Sequence, residues 1–117
     1  MLIAIPVRSQ SADTTLNPHF GRSQHFAIVS STGEGRSFYD NPHADGEHGA
    51  GIRAAEFVVG LGVEAVISGS LGPKALNVLE EAGCACFAAE EADISCLLSR
   101  WRDGSLKRLD HQASNPA

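Results

Sequence analysis

The segment from Asn17 to Val29, NPHFGRSQHFAIV, places two histidines, an arginine and a glycine directly before a short apolar run. An imidazole such as that of His19 can ligate iron, zinc, nickel or copper. Arg22 could pair with an anionic group on the same ligand, and Gly21 lets the backbone turn or approach a ligand closely. Spacing alone favours a solvated or backbone-bonded loop residue for His19. Ligand binding therefore needs support from the rest of the chain.

A second pair of histidines lies in the segment NPHADGEHGAG, residues 41–51. Its three glycines and one proline predict a loop. His43 and His48 are five residues apart, and they either join a site or are ordinary polar loop residues. Loops at sheet ends carry many binding sites, so the length of this loop indicates a site more strongly than either histidine does.

The turn SGSLGPKA, residues 68–75, leads from an apolar run into a predicted helix. The first backbone N–H groups of a helix attract anions, and Ser70 and Gly72 lie next to that helix start. Tight strand-to-helix packing explains the same glycines equally well. The turn matches neither the Walker A pattern nor the GxGxxG pattern of dinucleotide folds.

The other reactive residue types form no recognisable constellation. The three cysteines are an odd set without a CxxC pair, unlike a disulfide framework or a four-thiolate zinc site. Cys84 and Cys86 alternate on one face of a predicted strand, where burial in the core is the expected state. No GxSxG motif, Ser/His/Asp arrangement or paired carboxylates stand out, which argues against a hydrolase and a two-metal nuclease.

Composition and charge exclude several classes of partner. The chain has 117 residues, of which 43% are hydrophobic and 20% are charged, as is usual for one globular domain. A net charge of −5 without a lysine or arginine cluster argues against nucleic acid and anionic membranes as partners. The apolar runs are shorter than the roughly 20 residues that cross a bilayer, and the opening MLIAIPVRSQ lacks a basic region before its apolar residues. We therefore expect a cytoplasmic protein.

The elements that must position these residues are predicted from hydrophobic periodicity. Their order is strand, strand, strand, helix, strand, helix, strand, helix. Strands two and three are joined by about five residues, too few for a parallel crossover, so they form an antiparallel hairpin. Pro6 suggests a bulge or a lost ladder bond in the first strand. The predicted strands span 2–7, 25–29, 36–40, 64–69 and 84–88; the helices start near Ile52, Pro73 and Asp93, and SLKRL (105–109) is an optional further extended piece.

Together these motifs resemble the dinitrogenase iron-molybdenum cofactor biosynthesis family, which includes the NifX, NafY and NifY accessory proteins and the C-terminal part of NifB. The resemblance runs over about residues 1–107. Its most specific parts are HFGR, the His/Gly-rich loop and VISGSLGPKA. It implies a ribonuclease H-like α/β fold with a mixed, roughly five-stranded sheet, an antiparallel hairpin at the edge and about three helices. One such domain would cover residues 1–107, followed by a polar tail over 108–117.

In function, the resemblance implies a non-enzymatic carrier of an iron-sulfur or iron-molybdenum cluster, in nitrogenase cofactor assembly or related metallocluster trafficking. The HFG histidine corresponds to His19, the expected metal ligand, and His43 and His48 would flank it. Proteins that donate and accept clusters are the implied partners, and the oligomeric state is not indicated. A carrier must release its cargo, so one imidazole, Arg22 and backbone N–H donors suit it better than four thiolates. The residues expected to bind are His19, Gly21, Arg22, His43, His48, Ser70 and Gly72.

Two other functions remain open from the sequence. A regulatory module could bind an anion or a small molecule at the helix start over 72–75, without a metal. A ribonuclease H-type enzyme ranks third, because no acidic triad is evident.

Overall fold

The computed structural model describes residues 1–44 and 49–109. His48 therefore lies outside the described residues. The described residues form six strands and three helices in the order β1 (Leu2–Val7), β2 (His25–Ser30), β3 (Arg36–Asp40), α1 (Ala50–Gly60), β4 (Ala65–Ser68), α2 (Pro73–Glu81), β5 (Ala85–Ala88), α3 (Ile94–Asp103) and β6 (Lys107–Leu109). None of the described helices is long and apolar enough to cross a membrane.

The strands form one mixed sheet in the order β3-β2-β1-β4-β5-β6. β1, β4 and β5 run parallel, while β2 is antiparallel to both β1 and β3. The mixed sheet, the hairpin at its edge and the three helices are confirmed. The expected number of about five strands is wrong, because β6 adds a sixth strand antiparallel to β5. β6 lies within SLKRL (105–109), the segment that the sequence offered as an optional extended piece.

The bulge predicted at Pro6 is also wrong. β1 and β2 pair without interruption, with Pro6 opposite Phe26. The Pro6 carbonyl accepts a 2.8 Å hydrogen bond from the Asn17 N–H, on the side of β1 that faces away from β2. Parallel pairing with β4 ends at Ala4, and Pro6 has no N–H to extend it on that side of β1, which agrees with the lost ladder bond, the other alternative for this residue.

Two apolar cores cover the two faces of the sheet. On one face, α1 and α2 pack against buried strand residues that include Ala4, Val66 and Cys86. On the other face, α3 packs against residues that include Ile5 and Ile67. Burial on both faces explains why the inner strands are continuous apolar runs. The burial predicted for Cys84 and Cys86 is confirmed, at 4% and 0% exposure.

Helix ends follow the signals in the sequence. Pro73 occupies the first turn of α2, and the Asp93 side chain caps α3 by accepting a 2.8 Å hydrogen bond from the Cys96 N–H. Gly83 and Gly104 follow α2 and α3 with positive φ. α1 differs from the prediction, because it begins at Ala50 and so includes the last two residues of the expected loop 41–51.

Candidate functional site

The candidate site lies at the carboxyl ends of the parallel strands β1 and β4. β1 leads into the loop 8–24, and β4 leads into the turn 69–72 that precedes α2. The backbones of His19 and Ser70 form a short parallel bridge, and Ser70 Oγ donates a 3.1 Å hydrogen bond to the Pro18 carbonyl. Open α/β sheets commonly bind ligands at this edge, outside the carboxyl ends of the strands.

Two glycines let the histidine loop come very close to its neighbours. A methyl group on Gly69 would lie 2.7 Å from Pro18 Cα. A methyl group on Gly21 would lie 2.8 Å from both Cα and N of Gly51, at the start of α1. Contacts this short exclude any side chain, so the loop is held directly against the turn after β4 and against α1. The close approach made by Gly21 is to the protein's own backbone.

These contacts form a cleft of about 210 Å³ beside the histidine loop. A neighbouring hollow of about 350 Å³ lies between the starts of α1 and α2 and shares three lining residues with the cleft. Five residues expected from the sequence therefore come together around one cleft, and Gly51 and Ala75 join them. The lining residues of the cleft are His19, Phe20, Gly21, Arg22, Gly51, Ser70, Gly72 and Ala75.

His19 and Arg22 present their side chains at an exposed part of this cleft. The His19 backbone N–H donates to Asn17 Oδ1 at 3.0 Å, which fixes the backbone of the loop. Within residues 1–44 and 49–109, neither nitrogen of the His19 ring has a hydrogen-bond partner. Arg22 Nη1 donates a 3.3 Å hydrogen bond to the Ala44 carbonyl and so reaches toward the second loop. An exposed imidazole next to a guanidinium can accept a metal atom that carries anionic groups.

Asn41 joins the two loops, although no motif in the sequence marks it as a site residue. Its side chain is almost fully buried, at 7% exposure for the residue. Its Nδ2 donates to the carbonyls of Ser23 at 2.9 Å and Gly21 at 3.4 Å, while Oδ1 accepts from the His43 N–H at 3.0 Å. The NP pair that opens the loop is the local signal for such a turn. His43 itself is partly buried and does not line the cleft.

The described residues around the cleft supply positive charge and N–H donors, although the whole chain is acidic. α1 and α2 both begin here, after Gly49 and Gly72, and among the described residues neither start has a side-chain cap or an acidic first turn. Their leading N–H groups carry the positive end of the helix dipole. Lys74 lines the adjoining hollow, and Arg22 lines the cleft. An anionic ligand would therefore meet donors on three sides.

A closed metal centre made only of protein ligands is not formed by the described residues. No group of three or more His, Cys, Asp or Glu side chains in residues 1–44 and 49–109 could hold a metal ion. Burial, with smaller effects of Cys84 and Glu80, raises the pKa of the Cys86 thiol to about 12. Burial also raises the pKa of Cys84. Both thiols stay protonated at neutral pH and lie in the core, so they do not supply thiolate ligands to the cleft.

Another histidine and two loop or strand-end carboxylates lie away from the cleft. His25 begins β2 as expected, and its Nδ1 is 3.2 Å from Gln10 Nε2 and 3.3 Å from Asp40 Oδ1. Asp13 accepts a 2.7 Å hydrogen bond from Ser11. Neither Asp13 nor Asp40 lines the cleft, so these two carboxylates do not form a metal site there.

Comparison with known proteins connects this geometry to a family. Residues 1–104 match the sequence model of the family described as "Dinitrogenase iron-molybdenum cofactor". The uncharacterized protein MJ0580 of Methanocaldococcus jannaschii is 31% identical over 113 residues, covering 94% of this chain and 92% of that protein. The apo form of the orange protein from Desulfovibrio gigas has a TM-score of 0.86, with 28% identity and 92% of each chain covered. A putative NifB protein from Thermotoga has a TM-score of 0.79, with 25% identity and the same coverage. The resemblance read from the sequence motifs is thus confirmed, and the chain belongs to the dinitrogenase iron-molybdenum cofactor family.

Proposed function

We propose that this protein is a carrier that binds an iron-sulfur or iron-molybdenum cluster as cargo in the cleft beside His19. The observation that carries the proposal is the exposed His19 ring, which has no hydrogen-bond partner among the described residues and lies beside two helix starts without side-chain caps. The imidazole would ligate one metal atom of the cluster. The backbone N–H groups near Gly49 and Gly72 would face its anionic sulfur or oxygen atoms.

The small number of protein ligands suits transport. Resident iron-sulfur clusters are commonly held by four cysteine thiolates, whereas the described part of this cleft has His19 as its only metal-ligating side chain. A cluster bound through one imidazole and several hydrogen bonds can be released to an acceptor. Arg22 would pair with negative charge on the cluster, and Gly21 and Ser70 would hold the histidine loop in place. His43 and His48 would flank the site from the second loop.

Family membership supports a role connected with metalloclusters, and one of the similar structures is described as an apo form, a term for a protein without its bound group. We propose a non-catalytic, cytoplasmic protein whose partners are cluster donors and acceptors, in nitrogenase cofactor assembly or in another trafficking route. The order β3-β2-β1-β4-β5, with only β2 reversed, supports a ribonuclease H-like description of this part of the sheet.

Anaerobic titration tests the assignment of the ligand. An isolated iron-molybdenum or precursor cluster is added to the protein, and binding is followed by visible absorption. We expect His19→Ala to weaken binding by roughly tenfold or more, because even residues that only orient metal ligands contribute about 10–100-fold. His25→Ala is the matched control, since His25 lies in β2 and should leave the affinity unchanged. Equal affinity of His19→Ala and the unchanged protein would disprove ligation by His19.

A second function, the binding of an inorganic or small organic anion without a metal, is favoured by the two helix starts alone. Inorganic phosphate titrated into metal-free protein, followed by amide chemical shifts, tests it. Saturable shifts at Ser70, Gly72 and Gly51, together with no binding of any cluster, would favour this function over the carrier.

A further inference from the structure

The outer edge of β3 is unpaired among the described residues. β3 ends the sheet, and within the part of the chain that the structure describes no strand pairs with its outer side. Two hydrogen bonds at the ends of the hairpin show which backbone groups of β3 face β2. The Asn41 N–H donates to the Gln24 carbonyl, and the Ser30 N–H donates to the Gly35 carbonyl. Because strand groups alternate with a period of two, Ser37 and Tyr39 bond toward β2. The N–H and C=O groups of residues 36, 38 and 40 point outward.

This edge has two of the features that usually prevent edge-to-edge pairing, a short length and charged side chains, but it lacks a proline and a bulge. β3 contains no proline, and its five residues pair with β2 without a bulge. Natural edge strands are commonly interrupted by a proline, a bulge or a lysine. The two charged residues, Arg36 and Asp40, stand at opposite ends of the strand and have opposite signs. They would repel a partner strand that places a basic residue opposite Arg36 or an acidic residue opposite Asp40. A strand with an acidic residue opposite Arg36 and a basic residue opposite Asp40 would be attracted.

We propose that β3 is the interface for a second copy of this chain, paired antiparallel around Phe38. In this register Phe38 lies opposite the partner's Phe38, and Arg36 lies opposite the partner's Asp40. These are the residues whose backbone groups point outward, so the pairing satisfies all six of those groups from each strand. Symmetry repeats the Arg–Asp pair, so the dimer contains it twice.

A hollow beside the same edge, lined by apolar and polar residues that include Glu34 and Arg36, supports a partner at this place. Leu2 and Tyr39 are each 38% exposed, and both line a hollow of about 310 Å³ with Ile28, Ser37 and Leu61. In the register centred on Phe38, the partner's Tyr39 lies opposite Ser37. Its ring would then cover this hollow, and the symmetric contact would cover the hollow on the partner.

The other edge of the sheet is not suited to the same contact. β6 has only three residues, Lys107, Arg108 and Leu109. Antiparallel self-pairing centred on Arg108 would place two guanidinium groups directly opposite each other, which is destabilising. The charge pattern therefore distinguishes the two edges and selects β3.

Sedimentation equilibrium from micromolar to millimolar concentration tests the proposal. We expect the unchanged chain to dimerise reversibly. Arg36→Asp and Asp40→Arg should each weaken the dimer by roughly tenfold or more, because each places like charges opposite at two positions. An equimolar mixture of the two variants should associate again, since each strand then meets its opposite charge. Arg108→Asp, the same change of charge at the other edge, should have no effect.

The mixture separates the interface from damage to the fold. Arg36 donates to Ser95 Oγ at 2.9 Å and to the Ala12 carbonyl at 3.2 Å. Asp40 accepts from Gln10 at 2.8 Å and lies 3.3 Å from His25 Nδ1, so each substitution also removes intramolecular contacts. Lost contacts cannot be restored by mixing. In the unchanged protein, amide exchange at residues 36, 38 and 40 should slow as concentration rises. A chain that is monomeric throughout, a dimer unaffected by either variant, or exchange independent of concentration would overturn the proposal.

Discussion

Replacing Gly21 with alanine tests the backbone contact that holds the histidine loop against α1. The new methyl group would lie 2.8 Å from two backbone atoms of Gly51 and 3.2 Å from the carbonyl carbon of Ala50. Carbon atoms in good contact are about 3.5–4.0 Å apart, so the overlap approaches roughly 1 Å. None of these atoms belongs to a side chain that can rotate away. We expect a loss of about 1–3 kcal/mol in the free energy of unfolding, the usual cost of overpacking, and a fall in Tm of roughly 5–15 °C.

Gly60→Ala is the matched control for this change. Gly60 ends α1, and a methyl group there would meet no heavy atom within 4 Å. Because glycine is a poor helix former, this variant should gain about 0.5–1 kcal/mol. Urea unfolding can be followed by the fluorescence of Trp101, the single tryptophan, which packs against the core under α3. Unchanged stability of Gly21→Ala, alongside the expected gain in Gly60→Ala, would refute the close contact.

Three further changes test other features of the cleft and the core. Gly51→Ala should keep its stability, because its methyl would meet Ala75 Cβ at an ordinary 3.5 Å, but it should narrow the cleft and lower cluster affinity in anaerobic titration. Asn41→Asp removes the amide hydrogens donated to two buried carbonyls, including that of Ser23, so urea unfolding should show a loss of about 1–3 kcal/mol. The native Cys86 thiol keeps its proton up to about pH 12, whereas an ordinary thiol loses it near 9.0. Between pH 9 and 12 the unfolded state binds fewer protons than the folded state, so the free energy of unfolding should fall as pH rises. This fall should be smaller in Cys86→Ala, which lacks the thiol.

The helix ends and the inner strands could be predicted from the sequence, because the residues that determine them are close together in the chain. Pro73, Asp93 and Gly104 act within one turn of the helix that they begin or end. The start of α1 was placed too late because Gly49 and Gly51 have low helix propensity, and the helix is nevertheless formed there in contact with Gly21. Such a contact between distant parts of the chain has no signature in the local pattern.

The meeting of His19 and Ser70 at one cleft also follows from signals that are present in the sequence. Both follow strands that the pattern identified, and β1 and β4 are adjacent and parallel. Gly51 and Ala75 were not identified, because they contribute small size and not a reactive group. Asn41 was missed because its role depends on two carbonyl groups in another loop. Residues that act through their small volume or through buried hydrogen bonds need the tertiary structure to be recognised.

The contacts that fix the cleft are made by backbone atoms, at Gly21 against Gly51 and at Gly69 against Pro18. The exposed side chains of His19, Arg22 and Lys74 take no part in them. The side chains of His19, at the cleft, and Lys74, at the adjoining hollow, can therefore be exchanged without altering these glycine contacts. A library randomised at only these positions would present different binding groups on the same backbone contacts, which makes this small chain a practical scaffold for designed anion receptors.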